Sequence, residues 1–188
     1  MSRTTPFPGF PEPTQARWSH FAYLGRAIVF QQLAGAAART IHGRVCALTP
    51  GPRFPTAHEL TDLPDARLRG AGLSGNKLAS LRDLAERVLD RRLVLGGLGR
   101  LEDDEVIERL VTVRGIGPWT AQILLMFRLG RLDDMPATDL GVQEGLKRLD
   151  GLAKRPNPAA VATRAEAWAP LRSVAAWTLW RLTEVEAA

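Results

Sequence analysis

The chain has 188 residues, of which 45% are hydrophobic and 24% are charged, and this ordinary balance excludes a fibrous or wholly disordered chain. Its single cysteine, Cys46, excludes an intrachain disulfide and every zinc or iron–sulfur site that needs three or four thiolates. No apolar run reaches the roughly 18 residues needed to span a bilayer, and the N-terminus lacks the pattern of a secretory signal. We therefore expect an intracellular protein without a membrane partner.

The net charge of +5, from 25 basic and 20 acidic residues, is the first functional indication. Only Lys77, Lys147 and Lys154 are lysines. Arginine suits phosphate because its planar side chain donates two parallel hydrogen bonds. The composition thus favours a polyanionic partner, although a general drift of composition towards arginine would give the same balance.

The first 14 residues are rich in proline and are predicted to form an extended arm. Apolar residues then recur at helical spacing over residues 18–48, until Thr49-Pro50-Gly51-Pro52 breaks the helix. Ser74 is the predicted N-cap of a longer helix. In this half of the chain, the further predicted helices cover residues 57–60, 64–69 and 76–92.

In the second half, Asp103 and Asp104 suit the positive end of a helix dipole and are predicted to open a helix that runs to residue 111. Pro118 fits the first position of the next helix, which follows a tight turn. The remaining helices are predicted over residues 139–149, 158–168 and 171–184. Because no segment alternates polar and apolar residues convincingly, the predicted fold class is all-α.

The tight turn Val113-Arg114-Gly115-Ile116-Gly117 is the most informative segment. Backbone N–H groups at the start of the following helix would form an anion site, and glycine lets a phosphate approach the main chain. Such contacts position a nucleic acid without reading its sequence. The same segment also fits a purely structural turn in which glycine ends a helix.

Asp139 follows Pro136 and stands where the next helix is predicted to begin. By itself it is explained as a helix N-cap. A glycine hairpin followed, one helix later, by Pro-x-x-Asp is a more specific combination.

This combination resembles the helix-hairpin-helix base-excision DNA glycosylases, and within them the DNA-3-methyladenine glycosylase II group. Further segments resemble family motifs in the same order. Residues 26–32 resemble its Ala-Ile-x-x-Gln helix, 72–77 its Gly-Leu-Ser-x-x-Lys turn and 169–175 its Pro-x-Arg-Ser-x-Ala helix. The likeness covers residues 18–182. It implies two helical lobes with DNA bound in the cleft between them, one lobe of residues 20–131 and the other of residues 1–19 with 132–188.

The resemblance also implies roles for individual residues. Asp139 would be the catalytic carboxylate, Trp119 and Trp180 would line the pocket for the flipped base, and Gln32 would be the wedge that fills the gap in the duplex. Candidate phosphate contacts are Arg114, Gly115, Gly117 and Lys77. No cofactor is required, but the resemblance implies a structural Na⁺ or K⁺ on the backbone carbonyls of Val111, Val113 and Ile116. Two positions that are aromatic in a well-known branch of the family are Ile123 and Leu140 here, which suggests a roomier pocket.

The implied activity is a hydrolase of base excision repair that removes alkylated bases such as 3-methyladenine and 7-methylguanine from duplex DNA. Trp119 stands where some relatives carry a lysine nucleophile, so we expect a monofunctional enzyme that leaves an abasic site. It would act as a cytoplasmic monomer, associated with the nucleoid in a bacterium. The alternatives are a glycosylase for deaminated or mismatched bases, such as hypoxanthine or uracil, and a non-catalytic helix-hairpin-helix DNA-binding module.

Overall fold

The computed structural model describes residues 18–184. Within this range every regular element is helical, which confirms the predicted all-α class. The predicted arm at residues 1–14 lies outside the described residues. No helix within residues 18–184 is long and apolar enough to cross a membrane.

The predicted helices are confirmed over most of the chain, with ends that shift by a few residues. In chain order they are α1 (His20–Phe30), α2 (Gly35–Cys46), α3 (Ala57–Asp62), α4 (Asp65–Gly70), α5 (Gly75–Leu89), α6 (Asp103–Leu110), α7 (Pro118–Leu124), α8 (Leu140–Leu149), α9 (Pro158–Ala165) and α10 (Arg172–Glu184). Short 3₁₀ turns occupy Leu98–Arg100 and Glu166–Trp168, and Leu125–Leu129 forms a π-helical turn.

The helical pattern predicted over residues 18–48 is confirmed, but as two helices, because the chain breaks after Phe30. Gln31 leaves the helical conformation with ψ of 134°, and Gln32 adopts a left-handed φ of 55°. Such a φ is uncommon for a residue other than glycine. No glycine or proline marks this break, so the apolar spacing alone did not reveal it.

The described residues divide into two compact units, 18–124 and 125–184. The sequence predicts two lobes with a boundary between residues 131 and 132, and these lobes remain a prediction. In the first unit, α1 packs against α2, α5 and α7, and its core contains Leu24, Ile28, Leu81 and Leu84, all without solvent exposure. This packing places the end of α1 beside the turn that joins α6 to α7.

In the second unit, α8 packs against α10 over its length. The core contains Met126, Val142, Leu146 and Leu179. Gly145 lies where the two helices touch, because a Cβ there would lie 2.2 Å from the carbonyl oxygen of Leu179. The close approach of these two backbones therefore requires glycine at this position.

We expect Gly145→Ala to destabilise the protein by about 1–3 kcal/mol, because the added methyl group would force α8 and α10 apart. Gly43→Ala is the matched control, since Gly43 also lies within a helix but its Cβ would meet nothing within 4 Å. That change is expected to stabilise by about 0.5–1 kcal/mol, through the better helix propensity of alanine. Urea unfolding measures both variants, and equal stability of the two would contradict the close packing of α8 on α10.

Candidate active site

The carboxylate of Asp139 is fixed by two hydrogen bonds at the start of α8. Its Oδ1 accepts one from the backbone N–H of Val142 at 2.8 Å, as the helix N-cap. The same oxygen accepts a second from Nε1 of Trp180 on α10, at 2.7 Å. The N-cap role expected for a lone aspartate is therefore present, and a long-range contact from an indole is added to it.

Small and flat side chains make room for the contact between Trp180 and Asp139. A Cβ on Gly141 would lie 2.8 Å from Cδ1 of the indole and 3.0 Å from Oδ1 of Asp139. Phe127, in the π-helical turn Leu125–Leu129, stacks on Trp180 with ring centroids 5.9 Å apart and an interplanar angle of 25°. Neither Gly141 nor Phe127 was predicted to have a role, since each is recognisable only once α8 and α10 are in place.

The loop that leads into Asp139 is held by the first residues of α10. The Arg172 guanidinium donates to both carboxylate oxygens of Asp133, at 2.7 and 2.8 Å. These hydrogen bonds hold the pKa of Asp133 below its ordinary value. The buried Ser173 hydroxyl accepts from the N–H of Asp134 at 2.9 Å. The Arg-Ser pair of the C-terminal motif thus anchors the segment that positions Asp139.

In the other unit, the turn between α6 and α7 needs glycine at one position for the backbone itself. Gly115 has a φ of +76°, and a Cβ there would lie 2.5 Å from Oγ of Ser80. Gly117 has no such φ, and its Cβ would meet nothing within 4 Å. Neither the backbone conformation nor the packing of the described residues therefore requires glycine at Gly117.

Two side chains from neighbouring helices fix the turn from both sides. Asp83 of α5 accepts a hydrogen bond from the N–H of Arg114 at 2.7 Å. Gln31, at the end of α1, donates through Nε2 to the carbonyl of Gly115 at 2.9 Å. Burial raises the pKa of Asp83, but the hydrogen bonds from the Arg114 N–H and from Arg87 outweigh it, so the pKa lies below its ordinary value. Asp83 was not predicted as a site residue, because its helical spacing to Arg87 is its only signal in the sequence.

Several groups of the turn remain available to a ligand. Among the described residues, no oxygen accepts a hydrogen bond from the N–H of Gly115 or Gly117. The Arg114 side chain is exposed and pairs with no group of residues 18–184. Lys77 differs, because its Nζ donates to the carbonyl of Val29 at 2.7 Å. Burial lowers the pKa of Lys77.

The backbone carbonyls expected to bind a cation differ in the hydrogen bonds that they accept. The carbonyl of Val113 accepts one hydrogen bond, from the N–H of Ile116 at 3.0 Å. A carbonyl oxygen has a second lone pair, so this bond leaves room for a cation. The carbonyls of Val111 and Ile116 accept none from the part of the chain that the structure describes. The three oxygens therefore keep acceptor capacity for a cation, and the cation site itself remains a prediction.

A cavity of about 660 Å³ lies within the first unit, beside the turn. It brings together the predicted residues Gln32, Gly115, Gly117 and Trp119, and Trp119 is 42% exposed. Side chains of α1 that the sequence analysis did not assign complete its wall, namely Tyr23, Arg26 and Phe30. The spacing of 26 and 30 by one helical turn was the only available signal for that pair.

Metal-binding side chains do not gather anywhere in residues 18–184: no group of three or more His, Cys, Asp or Glu could hold a metal ion. The residues with relevant chemistry are a fixed carboxylate in the second unit and, in the first, a cavity with aromatic residues beside a turn with open N–H groups. A carboxylate held in this way can stabilise a developing positive charge or orient a water molecule.

Comparison with known proteins places this arrangement in a family. The family model described as the HhH-GPD superfamily of base excision DNA repair proteins matches residues 26–170. DNA-3-methyladenine glycosylase 1 of Schizosaccharomyces pombe is 35% identical over 176 residues, which are 93% of this chain and 77% of that protein.

Two solved structures resemble the chain closely. The Schizosaccharomyces pombe 3-methyladenine DNA glycosylase in complex with abasic DNA gives a TM-score of 0.77 at 36% identity, over 89% of this chain and 82% of that one. The DNA-3-methyladenine glycosidase of Bacillus halodurans gives a TM-score of 0.81 at 36% identity, over 94% and 78%. The matched family model covers most of the chain, so this protein belongs to the HhH-GPD superfamily of base excision DNA repair proteins.

Proposed function

We propose that this protein is a monofunctional DNA N-glycosylase that removes alkylated bases, of the 3-methyladenine and 7-methylguanine type, from duplex DNA. It is a hydrolase of base excision repair, and its product is an abasic site. The observation that carries this function is the carboxylate of Asp139, whose Oδ1 is held by two N–H donors, from Val142 and Trp180. The relatives named as DNA-3-methyladenine glycosylases support the choice of substrate.

The chemistry of an alkylated purine explains why one carboxylate is enough. The base already carries a positive charge, so it leaves as a neutral molecule and needs no general acid. As the bond between C1′ and the base nitrogen breaks, positive charge develops on the sugar. Asp139 stabilises that charge and orients the attacking water, whose oxygen bonds to C1′ while its proton is released.

We propose that the aromatic residues receive the flipped base. Trp119 is half-exposed in the wall of the 660 Å³ cavity, and a cationic base on an aromatic face gains about 1–2 kcal/mol when it is desolvated. Trp180 also donates its N–H to Asp139. This hydrogen bond sets the orientation in which the indole ring would contact the base or the sugar.

Phosphate contacts are proposed for the turn and its surroundings. The N–H groups of Gly115 and Gly117 and the exposed Arg114 side chain have the chemistry for this role. Lys77 donates one of its three N–H groups to the carbonyl of Val29, and the other two can donate to a phosphate. We further propose that the carbonyls of Val111, Val113 and Ile116 would hold a monovalent cation, which would supply a positive charge that attracts phosphate.

Three further assignments concern the oligomeric state, the place of action and the absence of a covalent intermediate. We propose that the protein acts as a monomer, because one copy of the chain supplies all the proposed residues. Its place of action is then wherever the cell keeps its DNA, which in a bacterium is the nucleoid in the cytoplasm. Trp119, in the position of a lysine nucleophile, offers no amine for a covalent intermediate.

The test is incubation of the protein with a duplex that carries one 7-methylguanine. We expect free 7-methylguanine to be released while the strand stays intact until alkali or heat is applied. Borohydride should trap no covalent adduct between protein and DNA. Binding without any release of base would favour the non-catalytic DNA-binding module, and a trapped adduct would contradict the monofunctional mechanism.

Gln32 is proposed as the wedge, and its left-handed φ of 55° allows a clean test. Gln32→Gly removes the side chain at a backbone conformation that glycine adopts readily, so we expect no loss of stability. Excision should slow about tenfold or more, because flipping costs a few kcal/mol and the gap would stay unfilled. Single-turnover excision together with thermal unfolding checks both expectations. Excision at the wild-type rate would remove the wedge role from Gln32.

A further inference from the structure

Gln143 is a buried polar residue on α8, one helical turn after Asp139. Its neighbours on the helix, Val142 and Leu146, belong to the core of the second unit, and Gln143 itself is only 8% exposed. Burying an amide costs free energy unless the amide is hydrogen-bonded. The hydrogen bonds of Gln143 therefore indicate why a glutamine occupies this position.

The side chain of Gln143 returns to the loop that leads into α8. Its Nε2 donates to the carbonyl of Ala137 at 3.0 Å, and its backbone N–H donates to the carbonyl of Asp139 at 3.0 Å. Within residues 18–184, no other group donates to the Ala137 carbonyl. One residue of α8 thus holds the chain on both sides of Thr138, directly where Asp139 is positioned.

The other hydrogen bonds of this loop are local. The N–H of Ala137 donates to the carbonyl of Met135 at 2.8 Å, and the N–H of Asp139 donates to the carbonyl of Pro136 at 2.9 Å. Each joins residues that are two or three positions apart, so it shapes the loop without attaching the loop to α8. The hydrogen bond from Nε2 of Gln143 makes that attachment, and it starts from a helix that packs against α10.

We propose that Gln143 is a positioning residue that sets the orientation of the Asp139 carboxylate through the carbonyl of Ala137. This inference rests on the proposed glycosylase function and adds a residue that serves the reaction without touching the substrate. Misplacing a reacting group by about 1 Å can slow a reaction about 100-fold. Release of the loop from Gln143 would turn the backbone at Asp139 and disturb the hydrogen bond between its Oδ1 and the indole N–H of Trp180.

The first variant is Gln143→Met, which keeps the length of the side chain but has no N–H donor. We expect kcat for the release of 7-methylguanine to fall about 10- to 100-fold. KM and binding to an abasic duplex should stay unchanged, because the loss concerns the orientation of the carboxylate rather than contact with DNA. A second variant, Gln143→Asn, keeps the amide but is one methylene too short to reach Ala137, and it should show the same loss.

A spectroscopic measurement distinguishes positioning from a general loss of stability. The indole N–H signal of Trp180 in a ¹H–¹⁵N NMR spectrum, assigned by its absence in Trp180→Phe, reports on the hydrogen bond to Asp139. We expect both Gln143 variants to change its chemical shift. Val161→Ala is the matched control, because Val161 is buried in the same core and its truncation lowers stability without removing a hydrogen bond of the loop. This control should change neither kcat nor the Trp180 signal.

The outcomes separate this inference from the proposed function. If the wild type releases no 7-methylguanine, the proposed function fails, and the Trp180 signal alone decides whether Gln143 orients Asp139. If the wild type is active but both folded Gln143 variants keep its kcat, or if Val161→Ala loses as much activity at equal stability, the positioning role fails while the glycosylase function stands. Where Gln143→Met does not fold, a folded Gln143→Asn decides in the same way. If neither folds, Gln143 serves the fold rather than the reaction, which overturns the inference.

Discussion

Replacing Asp139 by asparagine is expected to slow the release of 7-methylguanine by about 10²- to 10⁴-fold, because the variant loses the negative charge that faces the developing positive charge on the sugar. The fold should survive. The asparagine oxygen can still accept from Val142 and Trp180, and asparagine is as good an N-cap as aspartate. The change thus removes charge while keeping the hydrogen bonds that start α8.

Asp150→Asn is the matched control for this experiment. Asp150 ends the same helix, where it pairs with Arg164 at 3.1 Å. A surface pair of this kind contributes little stability, so the fold should survive. Because Asp150 lies at the opposite end of α8 from Asp139, the excision rate should not change. Single-turnover release of base measures both variants, and binding to a duplex with an abasic site shows whether DNA recognition is intact. An Asp139→Asn protein with the wild-type rate would show that another group supplies the charge.

Most of the helical architecture could be predicted because its signals are local in sequence. Ser74 does accept a hydrogen bond from the N–H of Lys77, and Pro118 does begin α7. A helix cap or a proline affects only the neighbouring helical turn, so its effect can be predicted from the local sequence. The break after Phe30 escaped prediction because no glycine or proline marks it, and the contact that Gln31 makes there is with Gly115, far along the chain.

The same distinction between local signals and long-range contacts applies to the candidate site. Motif spacing was enough to select Asp139, Trp119 and the two glycines of the turn. The hydrogen bond from Trp180 to Asp139 joins residues 41 positions apart, and nothing in the spacing of the two residues indicates it. Asp83 and Arg26 were missed for a related reason, since each lies on a helix whose partner is set by tertiary packing.

The hydrogen bond between Trp180 and Asp139 leads to the second large effect. Trp180→Phe keeps an aromatic ring for stacking but removes the indole N–H, which lies 2.7 Å from Oδ1. A hydrogen bond to a charged acceptor contributes about 1.5–3 kcal/mol, so we expect kcat to fall about 10- to 100-fold. Binding to abasic DNA should be retained, because the loss affects the orientation of the carboxylate rather than contact with the duplex.

Phe127→Leu distinguishes the N–H of Trp180 from the packing of its ring. Phe127 stacks on the indole, so this variant loosens the ring while leaving the donor in place. If orientation of Asp139 by the N–H is what matters, Trp180→Phe must lose far more activity than Phe127→Leu at similar thermal stability. Equal losses would assign the effect to packing, and the carboxylate would then need only its place at the start of α8. A selective loss would make Trp180 a positioning residue for the reaction.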